Sequence, residues 1–573
     1  MFQALDRTVP KESVLSIFTP ERISEADPAR ESARPERRRG RSAAGWVLTA
    51  LAGTLVFAAL VAPDQHTRLT LGAFVRIPVE GLAVAALLLL LPRRPRTVVA
   101  IVAGALLGVS ILIQLLDLGM WTFLNRQFDL VADWGLLDDG VAFLRDAVGR
   151  AGSIAAVVVA VLLAAAVPVL MALSVLRLSR VAARHRTGAA GGVAVLAVAW
   201  IATALLGTQL VPGVPVAARS QADLVRTRTL AVRASLHDQK AFAAAVTADQ
   251  FRTTPGNQLL TALRGKDVVV SFVESYGRSA LEDPQQAAIV GPALAAGERQ
   301  LAAAGFTARS GFLTSSTFGG YSWLAHSTLQ SGLLINGQQR YRGLVATDRL
   351  TFTGAFRRAG WGTVAVEPDN TYAWPEGAFY GYQQVYDSRN LGYAGPQFGW
   401  SRMPDQYTLA AFQRLVYGKP HAPMMAEVTL TSSHTPWAPL PQLVDWKAIG
   451  DGSAVYGPQF QAGNSPESVW KDSRRVRAEY ARSIAYSVGS LVSWVRTYGK
   501  DNLVLVFLGD HQAASIVSGP NATHDVPITI VARDPAVLNR VAAWGWEPGL
   551  KPSPAAPVWP MEMFRDRFLT TFR

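Results

Sequence analysis

Ser322 follows the pair Gly319-Gly320 and opens the small, helix-compatible run Ser322–Gly332. A hydroxyl there stands at a helix entrance, where unpaired backbone N–H groups favour an anionic group such as phosphate. Two apolar runs end in residues able to hold a metal. Val268–Val273 terminates in Glu274, and Leu503–Leu508 runs into Gly509-Asp510-His511. Ligands of open α/β sheets bind beyond the carboxyl ends of the strands, so two such strands deliver their ligands to one crevice, with Ser322 nearby. Glu274, Asp510, His511 and Ser322 form a hard oxygen-and-nitrogen set suited to a divalent Mn, Zn or Mg, with a position left for substrate.

The elements that position these residues are short. From Lys266 onward, β-rich runs alternate with helical stretches, which predicts an α/β sheet covered on both faces. Strands are expected at Val268–Val273, Thr363–Val366, Met424–Leu430, Leu503–Leu508 and Ile528–Val531, and helices at 287–304, 349–359, 405–417 and 474–497. The polar, glycine-containing stretch 446–472 reads as a long surface loop. There is no cysteine, so disulfides and thiolate metal sites are excluded.

The first part of the chain is of another kind. Half of the residues are apolar and the formal net charge is +13. Five apolar stretches are long enough to cross a bilayer, which takes roughly 20 residues each, near 44–62, 72–92, 98–119, 153–176 and 191–211. The charged residues 1–43 ahead of them read as a disordered cytoplasmic tail, and residues 212–261 as a linker containing one helix. Arg34, Arg37, Arg38, Arg39 and Arg41 precede the first span. Arg93, Arg94 and Arg96 lie between the second and third, and Arg177, Arg180, Arg184 and Arg186 between the fourth and fifth. The alternate loops are poor in arginine or dominated by acids. The positive-inside rule therefore puts the N-terminus in the cytoplasm and everything after 211 outside, as a multi-pass protein of the plasma membrane. This distribution also accounts for the basic charge without nucleic acid, for which no motif is present. Arg76 and Glu80 are one turn apart in the second span, and read either as a self-neutralising pair or as a lipid-headgroup site. Residues 120–152 are amphipathic and suit a helix lying at the outer interface.

The segment from Ser322 to Gly332 resembles the nucleophile signature of the sulfatase and alkaline-phosphatase superfamily, with Leu324 in place of its proline and His326 in place of its arginine. Residues 266–532 resemble the extracellular catalytic domain of the lipoteichoic acid synthases and phosphoethanolamine transferases, and the five spans resemble those families too. The resemblance implies a five-span helical bundle over 44–211 followed by an α/β alkaline-phosphatase-like domain over 262–573. It implies metal ligation by Glu274, Ser322, Asp510 and His511, with Ser322 also the nucleophile. It makes His434, within Thr431–Trp437, a ligand of phosphate or headgroup, and gives His524 a place among the active-site histidines. His326 is open to two readings, contact with substrate or packing beneath the helix start.

The chemistry so implied is ping-pong. Ser322 attacks a phosphodiester of a membrane phospholipid, the lipid alcohol leaves, and a covalent phospho-serine passes its group to an envelope glycan or glycolipid. A bound divalent metal or an adjacent base is needed to activate the hydroxyl. His434 or His524 is placed to protonate the leaving oxygen. Oxidation of the nucleophile to formylglycine, which sulfatases require, depends on the proline and arginine that Leu324 and His326 replace, so phosphorus chemistry is expected rather than sulfur chemistry. The alternative is a membrane-anchored hydrolase, a phosphodiesterase, phosphatase or sulfuric ester hydrolase, with water as acceptor. A non-catalytic binding module is a third reading.

Overall fold

A computed structural model describes residues 35–63, 71–124, 126–211 and 214–573. The proposed tail up to residue 34 and the loop 64–70, which carry part of the charge asymmetry, lie outside the described residues. Among the described residues five α-helices precede the linker: α1 (Pro35–Val61), α2 (Val79–Leu90), α3 (Arg93–Leu124), α4 (Gly135–Arg184) and α5 (Arg186–Leu205). Four of them contain stretches long and apolar enough to cross a membrane, at Ala43–Val61, Arg93–Trp121, Val148–Arg184 and Arg186–Leu205. The expected second span is different. Its helix, α2, has 12 residues, and at 1.5 Å per residue spans only about 18 Å. Ahead of it, Ile77–Pro78 is extended and pairs with Ala217–Ala218, which takes this part of the chain out of the helix.

Arg76 and Glu80 are held by that same neighbouring segment. Arg76 Nε donates to the Pro215 carbonyl (3.1 Å), and Glu80 Oε1 accepts from the Ala222 amide (2.9 Å). Residues 120–152 do not form one interfacial helix. α3 runs on to Leu124, and α4 begins at Gly135 with a non-helical break at Gly149. Between them Phe128 is buried, its amide bonded to Asp117 (3.0 Å). Asp117 in turn forms a buried ion pair with Arg228 of α6 (Ser220–Thr247). The loop between α3 and α4 is thus tied to the linker helix.

α6 is docked on the following domain by arginines. Arg349 donates to the Ala245, Val246 and Ala248 carbonyls at its end. Arg340 pairs with Asp238, and Arg565 with Asp249 (3.1 Å), both side chains fully buried.

The domain is built on one sheet of nine strands. In chain order these are β1 (Asp267–Val273), β2 (Thr307–Thr314), β3 (Gly362–Glu367), β4 (Gln384–Asp387), β5 (Met424–Leu430), β6 (Leu503–Gly509), β7 (Asp525–Ala532), β8 (Glu547–Pro548) and β9 (Val558–Pro560). The spatial order is β8-β2-β7-β6-β1-β5-β3-β4, with β9 beside β2. The run β6-β1-β5-β3-β4 is parallel. β7 is antiparallel to β6. Side chains alternate between the faces of a strand. Val268, Val270 and Phe272 of β1 pack with Val504, Val506 and Leu508 of β6 in one core. Val269 and Val273 pack with Leu505 and Phe507 in the other. Both faces are covered, which is why these strands read as continuous apolar runs.

All five expected strands are present. β2, β4, β8 and β9 were not anticipated. The expected loop 446–472 is also corrected, since it contains helices at Ser453–Ala462 and Pro466–Val469. These bury Tyr456 and Val469, but Gly457 and Pro458 interrupt the apolar period that would have revealed the first.

Candidate active site

Strand register sets the site. Gly509 is level with Val273 on the neighbouring parallel strand, so the next residues, Asp510 and Glu274, emerge side by side. Gly509 has no room for a side chain, since a Cβ there would meet the Tyr276 carbonyl oxygen at 1.9 Å. After Glu274 the chain turns through Ser275, whose φ is +56°, a conformation costly for a residue with a Cβ. What holds the turn is a set of hydrogen bonds. The Ser275 amide donates to Asp510 Oδ1 (2.7 Å), its hydroxyl to Glu274 Oε1 (2.9 Å), and its carbonyl accepts from Tyr480 (2.7 Å).

Ser322 arrives from the other side as the first residue of α8, counting α7 as Pro284–Ala303; α8 spans Ser322–Ser331. The approach is left-handed at Gly319 (φ +70°) and Tyr321 (φ +63°). It is laced to the loop after β6, with the Gly319 amide donating to the Gln512 carbonyl (2.9 Å) and the Ser315 hydroxyl to that of Asp510 (2.5 Å). Ser322 Oγ consequently lies 3.0 Å from Glu274 Oε2 and 3.3 Å from His511 Nε2. His511 Nε2 is also 3.3 Å from Glu274 Oε1 and 3.5 Å from Asp510 Oδ2. Its Nδ1 faces the Gln512 carbonyl (2.8 Å). A proton on Nδ1 leaves Nε2 free to act as a ligand.

The electrostatics are those of two buried carboxylates facing one imidazole. Glu274, Asp510 and His511 are all buried. Burial and the adjacent Glu274 carboxylate push Asp510 up to about 6. Burial opposes charge on His511, but Asp510 and Glu274 outweigh it and raise the imidazole to about 9. Glu274 is kept well below the usual carboxylate range, because His511 more than offsets its burial. Donor atoms of Glu274, Asp510 and His511 lie within 4.8 Å of one another. Two buried carboxylates, an imidazole with its far nitrogen fixed by a carbonyl, and a hydroxyl fit a divalent cation.

The remaining sequence candidates are dispersed. His434 follows β5 on the rim, with Nδ1 against the Thr435 carbonyl (2.7 Å) and its ring stacked on Trp400 at 5.6 Å. It lies in the field of Glu274 and Asp369. His524 precedes β7. Its carbonyl accepts from the Ser315 amide (2.9 Å), its ring leans on Phe318, and burial lowers its pKa. It lines a cavity of about 860 Å³ bounded by α6 and by Arg126, Asp129 and Asp133 of the loop after α3. His326, one turn along α8 from Ser322, contacts Glu427 (3.0 Å) and stacks on Phe272 (3.7 Å).

Sequence reasoning missed Glu367 and Asp369, just where the strand-end rule points. They close and follow β3 as Glu367-Pro368-Asp369. Asp369 Oδ1 accepts from the Arg402 amide (2.8 Å), and burial pushes the carboxyl up to about 6. Glu427 was also legible, as a carboxylate inside the apolar run Met424–Leu430.

The site defines a class: a crevice at the carboxyl ends of parallel strands, with a hydroxyl at a helix start against a metal-competent cluster. No family model and no curated protein matches the chain. Solved structures do resemble it. Lipooligosaccharide phosphoethanolamine transferase A of Neisseria meningitidis is 14% identical over 87% of this chain and 87% of its own, with a TM-score of 0.40. A lipoteichoic acid synthase of Listeria monocytogenes is 13% identical over 53% of this chain and 71% of its own (TM-score 0.36). A Streptococcus pyogenes phosphoglycerol transferase, in complex with sn-glycerol-1-phosphate, is 12% identical over 58% and 91% (TM-score 0.33).

Proposed function

We propose that the chain is a membrane-anchored phosphoryl-group transferase in which Ser322 is the nucleophile. The observation that carries this reading is the position of Ser322 Oγ, 3.0 Å from Glu274 and 3.3 Å from His511, at the first turn of α8. Glu274, Asp510, His511 and Ser322 would hold a divalent Mn, Zn or Mg ion. When bound, such an ion lowers the pKa of the hydroxyl and offsets charge on phosphoryl oxygens. Neither neighbour is a strong base in the metal-free site, because Glu274 is too acidic and His511 is protonated at neutral pH.

In the proposed cycle Ser322 Oγ bonds to phosphorus as the bond from phosphorus to the lipid alcohol oxygen breaks. The serine proton has Glu274 Oε2 as its nearest acceptor. His434 on the rim gives a proton to the leaving oxygen. The acceptor hydroxyl then attacks phosphorus, the bond to Ser322 Oγ breaks, and the proton held by Glu274 returns to Oγ. His524, kept neutral by its burial, is suited to take the proton from that acceptor, as histidine commonly does. The donor is a membrane phospholipid, phosphatidylglycerol ahead of phosphatidylethanolamine, and the acceptor an envelope glycan or glycolipid.

In this reading α2 and the extended residues before it make the second of five passes, with non-helical backbone sheltered against residues 217–218. The N-terminus is then cytoplasmic and the domain after 261 extracellular. The cavity beside His524 opens toward the loop between α3 and α4 and suits a substrate arriving from the bilayer surface.

Intact-mass measurement after incubation with phospholipid vesicles tests the proposal. Glycerol phosphate or ethanolamine phosphate is expected on Ser322, and turnover and adduct are both lost in Ser322→Ala. Normal turnover by Ser322→Ala, or formylglycine at this position, would refute it.

A further inference from the structure

A second cluster of charged side chains lies one helical turn beyond Ser322, on the sheet beneath α8. Ala365 of β3 is level with Glu427 of β5. Glu367, two residues on from Ala365, and Thr429, two on from Glu427, therefore share the face that Glu427 presents. His326 comes down onto this face from α8. Donor atoms of His326, Glu367 and Glu427 lie within 4.8 Å of one another.

The hydrogen bonding of the three is lopsided. Glu427 is fully engaged: Oε1 faces His326 Nδ1 (3.0 Å), and Oε2 accepts from Gln330 Nε2 (2.6 Å) and the Tyr382 hydroxyl (2.8 Å). His326 Nε2 and Glu367 Oε1 are buried without a hydrogen-bond partner, and the Thr429 hydroxyl lies against the Glu367 carboxyl. Buried polar atoms are almost always satisfied, so two orphans in one cluster call for a bound species. The imidazole is prepared for one. His326 Nδ1 and Glu427 Oε1, 3.0 Å apart, stand as two donors to one ion would, as His511 Nε2 and Glu274 Oε1 do at 3.3 Å.

We propose that His326, Glu367 and Glu427 hold a second divalent cation of the Zn or Mn class, distinct from that of Glu274, Asp510 and His511. A nitrogen with two carboxylates suits those ions, and the Thr429 hydroxyl stands beside them as a further oxygen. Charge points the same way. Burial, reinforced by Glu427 against the opposing effect of His326, pushes Glu367 up to about 7 in the metal-free protein. A bound cation would let Glu367 ionise. It would also clamp the helix that begins with the nucleophile to strands β3 and β5. The assignment stands whether or not Ser322 transfers phosphorus.

The test is metal content. Full-length protein in detergent is stripped with chelator, reloaded with MnCl₂ or, separately, ZnCl₂, freed of unbound ion and measured by mass spectrometry of the elements. Two ions per chain are expected for the wild type, one for Glu367→Gln, one for Asp510→Asn and none for the double variant. Cobalt reloading adds a spectroscopic readout, with one of two sets of visible bands lost in His326→Gln. That variant also serves if Glu367→Gln does not fold, as judged by circular dichroism and gel filtration. A single ion in the wild type, or two ions retained in both Glu367→Gln and His326→Gln, would overturn the assignment.

Discussion

Replacing Asp510 by asparagine should have effects of opposite sign on the stripped and the metal-loaded protein. Asp510 Oδ1 accepts from the Ser275 and His511 amides, both at 2.7 Å, and the amide oxygen of asparagine can accept the same two bonds. What the substitution removes is a negative charge beside Glu274. In the metal-free protein that charge is a burden, because burial and Glu274 raise the group from an ordinary 3.8 to about 6. A raised carboxylate gives stability that is complete below pH 4 and is lost as pH climbs through 6. The shift corresponds to at most ~3 kcal/mol at pH 8, at about 1.4 kcal/mol per unit. Chelator-treated Asp510→Asn should therefore unfold at a higher temperature than chelator-treated wild type at pH 8, and the two should converge toward pH 4. Adding Mn or Zn reverses the order. A ligand at a thousand times its dissociation constant stabilises the wild type by about 4.1 kcal/mol per site, whereas the variant gains only what the His326 cluster contributes, and loses turnover. Tryptophan-fluorescence melting of the full chain in detergent reads both arms. A stripped variant that melts below stripped wild type at pH 8, or a variant that keeps the whole of the metal stabilisation, would refute the reasoning.

Other perturbations probe the surrounding frame. Asp405 is fully buried at the start of α10, the helix Asp405–Phe412 that follows α9 (Phe352–Arg358). Its Oδ1 accepts from the Thr431 and Ser432 amides, Oδ2 is unpartnered, and burial raises the group to about 6. Asp405→Asn keeps both bonds, so its melting temperature should exceed that of wild type at pH 8 by the equivalent of up to ~3 kcal/mol, with no gain near pH 4. An equal gain at both pH values would remove the charge explanation. Arg565→Met leaves Asp249 buried without its partner and should cost about 3–5 kcal/mol in a denaturant titration. Adding Asp249→Asn should recover part of that loss, and no recovery would mean that the ion pair is not its source.

Legibility in the sequence followed the physics of each element. β1, β5 and β6 lie inside the sheet and have apolar residues on both faces, so their runs stand out, and the residues after β1 and β6 could be assigned to the crevice. β2 was missed because Thr307, Arg309 and Ser310 break its apolar pattern. Ser310 is buried all the same, satisfied by Thr529 and the Gly549 carbonyl, contacts that no local pattern displays. Glu367 and Asp369 were overlooked although the strand-end rule applied to them as it did to Glu274. α2 shows a different limit, since an apolar run of spanning length counts residues as if all were helical, and Ile77–Pro78 spends two of them on a strand pairing.

Leu324 and His326, the two departures from the sulfatase-like signature, each anchor α8 to something else. Leu324 is 2% exposed and packs with Ile335 and Leu344, and with Phe242 and Val246 of α6. α6 follows the apolar helices α1–α5 in the chain, so this contact ties α8 to the segment that leads from them. His326 couples the same helix to the sheet through Glu427. Proline at the first position would supply less apolar surface to α6, and arginine at the second would bring a larger cation into the space between Phe272 and Glu427. The substitutions are therefore matched to their surroundings, and they leave Ser322 fixed between two supports. Held in this way, Ser322 meets Glu274 and His511 without any movement of α8.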